Sequence, residues 1–174
     1  MLLKKEIIAT FCAVLAFLGT LSAEYLHLAP RIVGIADGLL VLFCGEFLGR
    51  RQALIYYFVL GLLDLLFLSI VAALKYLLLY MLLPLLITLW DKKLFSKILT
   101  LIFGSLGIYL YLIFYLKYFN FIYLFNLKIN NFGYLAIIAV IAAIVYYFLL
   151  KYIWDYIKRN ISENLRKYLL NILD

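Results

Sequence analysis

A chain of 174 residues with 69% hydrophobic and only 14% charged residues does not have the composition of a water-soluble domain. At about 20 residues per crossing, its length allows roughly five to seven membrane spans, and no segment is polar enough to form a separate soluble domain. A net charge of +7 would point to nucleic acid in a soluble protein, but here the basic residues lie between apolar runs, where topology signals lie, so no nucleic-acid partner is expected.

The first apolar block covers 7–28. Lys4, Lys5 and the Ser22-Ala23 pair give it a faint likeness to a signal peptide, but a small bundle needs this helix, so it is read as retained. Glu24 and His27 share a face near its far end. They read as a wetted interfacial pair, since a metal site needs more ligands. Cys12 here and Cys44 in the next block are placed at different depths, as small apolar fillers.

The second block, 32–49, carries Gly34, Gly38, Gly45 and Gly49. At about 100° per residue these fall in a stripe roughly 60° wide, which lets another helix approach closely. Asp37 and Glu46 flank the stripe. Acids are expensive in lipid, so Asp37 should face protein or water, and Glu46 should pair with Arg50 one turn on.

The third block, 52–90, is too long for one crossing and should fold into two spans, with a turn within 68–75 that no Gly or Pro marks. Tyr57, Gly61, Asp64 and Leu68 share a face of its first half, and Pro84 should kink its second. Blocks 98–116 and 132–150 complete six helices. The aromatic stretch 118–131 between them should lie along the interface or tuck into the bundle, and Ala136, Ala139 and Ala143 form a small-residue packing face. Beyond, Ile153, Ile157, Ile161, Leu165 and Leu169 recur at helical spacing beside Lys158, Arg159, Arg166 and Lys167, which reads as an amphipathic helix on the membrane surface.

Basic residues set the orientation. With the N-terminus inside, the inner face receives Lys4, Lys5, Arg50, Arg51, Lys92, Lys93, Lys97, Lys151, Lys158, Arg159, Arg166 and Lys167, and the outer face Arg31, Lys75, Lys117 and Lys128. Twelve against four places both termini in the cytoplasm. P-loop, HExxH and GxSxG motifs do not occur, so no catalytic residue, metal or cofactor is assigned. Gly34, Gly38, Gly45, Gly49 and Gly61 are assigned to helix packing or partner docking, and Asp37 and Asp64 to buried polar roles.

Two segments carry a family resemblance. Ala36-Asp37-Gly38-Leu39-Leu40 and Phe58-Val59-Leu60-Gly61-Leu62-Leu63-Asp64-Leu65-Leu66 resemble the polar dipeptide opening the second helix, and the later Gly-to-Asp segment, of the bacterial rod-shape-determining protein MreD. The likeness covers 29–90; Pro30 is not adjacent to Asp37, and Val71-Ala72 stands where the family has Leu-Gly. It implies a non-catalytic scaffold in the inner membrane, which docks a membrane-anchored MreC-like partner within the cell-wall elongation machinery.

A weaker resemblance is to the S components of energy-coupling-factor vitamin transporters. The stretch from Leu39 to Arg51 resembles a Gly-x-x-Leu-Gly-Pro-Arg segment of the biotin type, with Arg50 in place of the proline. Ala9 and Ala13 match the pair with which S components dock their partner, and a small-molecule ligand would then be implied.

The architecture expected is all-α, an S-component-like six-helix bundle over 1–153 with a cytoplasmic amphipathic tail over 154–174. In intact cells, cysteine-accessibility labelling should reach position Lys128 but neither Lys92 nor Asp174. Labelling of Asp174 from outside would contradict this topology.

Overall fold

A computed structural model describes residues 2–90, 94–119, 122–124, 127–129 and 131–160. The protein is an all-α polytopic membrane fold. Its helical passes are α1 (Leu2–Tyr25), α2 (Pro30–Phe43, continued by a π-helical turn Cys44–Leu48), α3 (Arg50–Phe67), α4 (Ile70–Trp90, with a π-helical stretch Lys75–Met81), α5 (Leu94–Phe119) and α6 (Phe132–Asn160). Within the aromatic stretch between α5 and α6, Ile122–Leu124 (β1) pairs antiparallel with Leu127–Ile129 (β2). The boundary drawn at 153/154 falls inside α6, which runs unbroken to Asn160 with Trp154 buried; the rest of the tail lies outside the described residues.

Among the described residues, α1, α4, α5 and α6 are long and apolar enough to cross a membrane by themselves. The other two passes differ for clear reasons. The regular part of α2 is 14 residues before the π turn, and α3 holds Arg50, Arg51 and Asp64. Both are seated among the more apolar helices.

Polar contacts at the helix ends fix the directions. Arg51 reaches Glu6 at 2.9 Å, and the Tyr25 hydroxyl donates to the Phe67 carbonyl at 3.0 Å, so α1 and α3 pack side by side and run parallel, with α2 running the opposite way. The Glu46–Lys158 pair at 2.9 Å brings the end of α6 beside the end of α2. The first and last described helices therefore have their chain ends at the same end of the bundle.

Local sequence explains the breaks. Residues 26–29 join α1 to α2 with His27 (φ 52°) and Ala29 (φ 46°) both left-handed, and Pro30 opens α2, where its missing N–H costs nothing. The turn expected within 68–75 is at its start. Leu68 is extended, and Ser69 caps α4 by accepting from the Ala72 N–H at 3.3 Å. Gly49 is not part of a packing stripe. It sits past the π turn at φ 118°, a conformation that favours glycine, and a Cβ there would meet only the Gln52 side chain.

The other stripe glycines admit side chains of the same chain. A Cβ on Gly34 would run into the Tyr80 ring, and one on Gly45 into Thr88. A Cβ on Gly38 would lie 2.7 Å from the Tyr146 hydroxyl, 3.0 Å from the Tyr80 carbonyl oxygen and 3.1 Å from Pro84 Cγ. Gly61 faces Leu77 in the same way. The stripe is thus consumed inside the bundle by α4 and α6, so it is not the face for docking another protein. Gly104 and Gly107, not singled out from the sequence, do the same for α5 against Leu83 and Leu82.

Ala9 and Ala13, both 0% exposed, lie in one core with Ala53, Tyr56 and Leu60, which removes them from the docking role that the transporter resemblance gave them. Ala139 and Ala143 are buried beside Ile108, whereas Ala136 is exposed. Outward faces carry Phe11, Leu18, Phe58, Leu62, Phe148 and other large apolar side chains, as lipid contact requires.

Gly38→Leu or Gly45→Leu should lower stability by at least the ~1–3 kcal/mol typical of overpacking, read as thermal unfolding of the purified protein. Gly133→Leu, where among the described residues a Cβ would meet only Asn131, should change it little. Equal losses at all three positions would contradict the packing described.

Candidate functional site

The polar residues inside the bundle converge on the half formed by α1–α4. Asp64 on α3 is 0% exposed; its Oδ1 accepts from Thr20 Oγ1 of α1 at 2.8 Å. The same hydroxyl lies 2.9 Å from the Phe17 carbonyl, and its single proton serves one acceptor at a time. Asp37 on α2 is 2% exposed and close enough to Asp64 to feel its charge. Tyr56, 0% exposed on α3, is within electrostatic range of both acids. Asp37 Oδ2, Asp64 Oδ2 and the Tyr56 hydroxyl have no hydrogen-bond partner among the described residues.

Toward the end of α1 this seam continues into an ion pair. Glu24 Oε1 accepts from Lys75 Nζ and, at 3.0 Å, from the Tyr76 hydroxyl, both on α4. Lys75 Nζ also lies 4.8 Å from the Tyr76 ring centroid. Tyr76 is fully buried while Glu24 and Lys75 are half-buried, as suits a pair near the rim of an apolar layer.

Of the acids read from the sequence, Asp37 and Asp64 are both buried inside the bundle and Glu46 is not. Glu46 pairs with Lys158 of α6 rather than with Arg50, because the break at Gly49 ends the helical register that one turn of spacing assumes. Glu24 does not face His27, which lies past the end of α1 in a left-handed turn. Cys12 and Cys44 remain free thiols but are not at separate depths, since both belong to one packed core.

Sequence reading missed Thr20, Tyr56 and the Glu24–Lys75 pair. The signal for Thr20 was its place one turn before Glu24, on the same helix face. Among the described residues no group of three or more His, Cys, Asp or Glu side chains could hold a metal ion.

Chemically, the seam does two things. It ties α1 to α3 and α1 to α4 through charge-assisted hydrogen bonds. It also presents buried oxygens between α2 and α3 that can accept a donor. No family model, curated protein or solved structure matches this chain.

Replacing Thr20 by Val, which keeps the shape and removes the donor, should destabilise the protein by about 1–3 kcal/mol, while Thr20→Ser should retain most of the stability. Thermal unfolding of the two variants decides it, and equal behaviour of Val and Ser would contradict the Thr20–Asp64 contact.

Proposed function

We propose that this integral membrane protein is a non-catalytic scaffold of the MreD type, which docks partner membrane proteins of the cell-wall elongation machinery. Both termini would lie in the cytoplasm. The observation that carries the proposal is the burial of both Asp37 and Asp64 inside the bundle. These acids mark the two segments that resemble MreD, and both are buried within one polar seam. In a scaffold the seam has a plain role: it locks α1, α3 and α4 so that their outer apolar faces keep a fixed shape for a partner helix. Burial of Ala9 and Ala13 favours this reading over that of a transporter S component.

The S component remains the second reading, favoured by one observation. Among the described residues Asp37, Tyr56 and Asp64 each keep a buried oxygen without a partner, which a ligand could engage.

Asp64→Asn keeps shape and hydrogen-bonding capacity, and Asp64→Leu removes both. A scaffold predicts that asparagine is largely tolerated, while leucine removes the acceptor that ties α3 to Thr20 of α1 and weakens partner capture. The measurements are co-purification of membrane partners and rod-shape complementation, with membrane insertion checked first. Equal failure of both variants would favour charge-dependent ligand binding. An Asp64→Leu variant indistinguishable from wild type would leave Asp64 no role in the assembly.

A further inference from the structure

A cavity of about 520 Å³ opens at the end of the bundle where α2 stops, α3 starts and α6 leaves the apolar layer. Its charged lining is Arg50, Lys151 and Lys158 against Glu46 and Asp155, with Trp154 as the aromatic wall. Glu46 is already neutralised by Lys158 at 2.9 Å, and Lys158 Nζ also lies 5.7 Å from the Trp154 ring centroid. Arg50 is exposed at the mouth of the cavity and has no ion-pair partner among the described residues. Arg50 also opens α3, whose N-terminus has no side-chain cap, so the positive end of the helix dipole adds to its charge. Gly45 also lines the cavity, packed against Thr88 of α4.

We propose that this cavity binds the phosphate of an anionic phospholipid headgroup. Three features point to that ligand. The cavity sits at a helix-end level, where headgroups lie, and on the end of the bundle carrying Arg50, Arg51, Lys158 and Arg159. Its net charge is positive, with a planar guanidinium suited to bidentate phosphate contact. It is lined by side chains of α2, α3, α4 and α6, and basic pockets between membrane helices hold anionic headgroups in this way. Occupation would bridge the start of α3 to α6 and so stabilise the bundle against spreading at this end.

The test uses the full chain in nanodiscs of phosphatidylcholine alone or mixed with phosphatidylglycerol. Lipid retained by the protein is read by native mass spectrometry, and unfolding temperature is read in parallel. Phosphatidylglycerol should be retained in preference to phosphatidylcholine and should raise the unfolding temperature. Arg50→Gln and Lys151→Gln should each cut that preference about five-fold, while Arg159→Gln, outside the cavity lining, should leave it unchanged.

As a readout without any change to the basic residues, Trp154 emission in a Trp90→Phe background should shift when phosphatidylglycerol is added. Loss of preference in Arg159→Gln equal to that in Arg50→Gln would overturn the site in favour of diffuse surface charge. Equal retention of both lipids, or an unmoved Trp154 emission, would overturn it as well. Inorganic phosphate in neutral nanodiscs stabilising the protein as much as phosphatidylglycerol would show a small-anion site and overturn the lipid assignment.

Discussion

One missing hydrogen organises the centre of this bundle. Pro84 has no N–H to give the Tyr80 carbonyl one turn earlier in α4, and in an apolar layer a carbonyl without a donor costs several kcal/mol. The Tyr146 hydroxyl of α6 supplies the bond at 2.9 Å. That hydroxyl reaches α4 across a point where α2 must have no side chain, and the residue there is Gly38, with Tyr146, Tyr80 and Pro84 all crowding the place of its absent Cβ. Three helices are held in register by a proline, a tyrosine and a glycine, each making the others necessary. The π-helical stretch Lys75–Met81 just before Pro84 is part of the same disturbance of regular α4 geometry.

Around this node the polar groups are ordered by depth. Complete ion pairs, Glu6–Arg51, Glu24–Lys75 and Glu46–Lys158, stand at the helix ends, where water and headgroups can share their hydration. Deeper in, charged partners give way to the neutral donor Thr20 opposite Asp64. Three further buried oxygens, on Asp37, Tyr56 and Asp64, have no partner among the described residues. Burying an acid in lipid is justified only where protein surrounds it, and both acids here are enclosed by helices rather than facing outward. The same ordering explains how α3 can hold Arg50, Arg51 and Asp64 and still take its place in the bundle.

Much of this was legible in the sequence. Composition and hydrophobic run length carry the polytopic helical class, and the glycine spacing carries the existence of a close helix contact. What they lacked was a partner for each glycine, because Tyr80, Tyr146 and Thr88 are far from α2 in the chain and no periodicity links them. The bend at Gly49 was hidden because a glycine at stripe spacing looks the same whether it packs or turns. Ser69 was a readable cap, overlooked in a search for Gly or Pro. The shared level of Cys12 and Cys44 was also readable: Cys12 lies 13 residues before the end of α1 at Tyr25, and Cys44 lies 14 after the start of α2 at Pro30, so an antiparallel pair brings them into one core. The Glu46 pairing was not readable, because it joins α2 to α6, and spacing along one helix is silent about that.

A double-mutant cycle on Pro84 and Tyr146 tests the central node most directly. Tyr146→Phe removes the only atom that makes the bond to Tyr80. In the wild-type background it should cost about 0.6–1.7 kcal/mol of unfolding free energy, the range for interhelical hydrogen bonds in membranes. In the Pro84→Ala background the new Ala N–H can serve the Tyr80 carbonyl, so the same change should cost clearly less. A coupling between the two positions supports the account. Strictly additive effects would mean that the Tyr146 hydroxyl does not compensate for Pro84, and would contradict it.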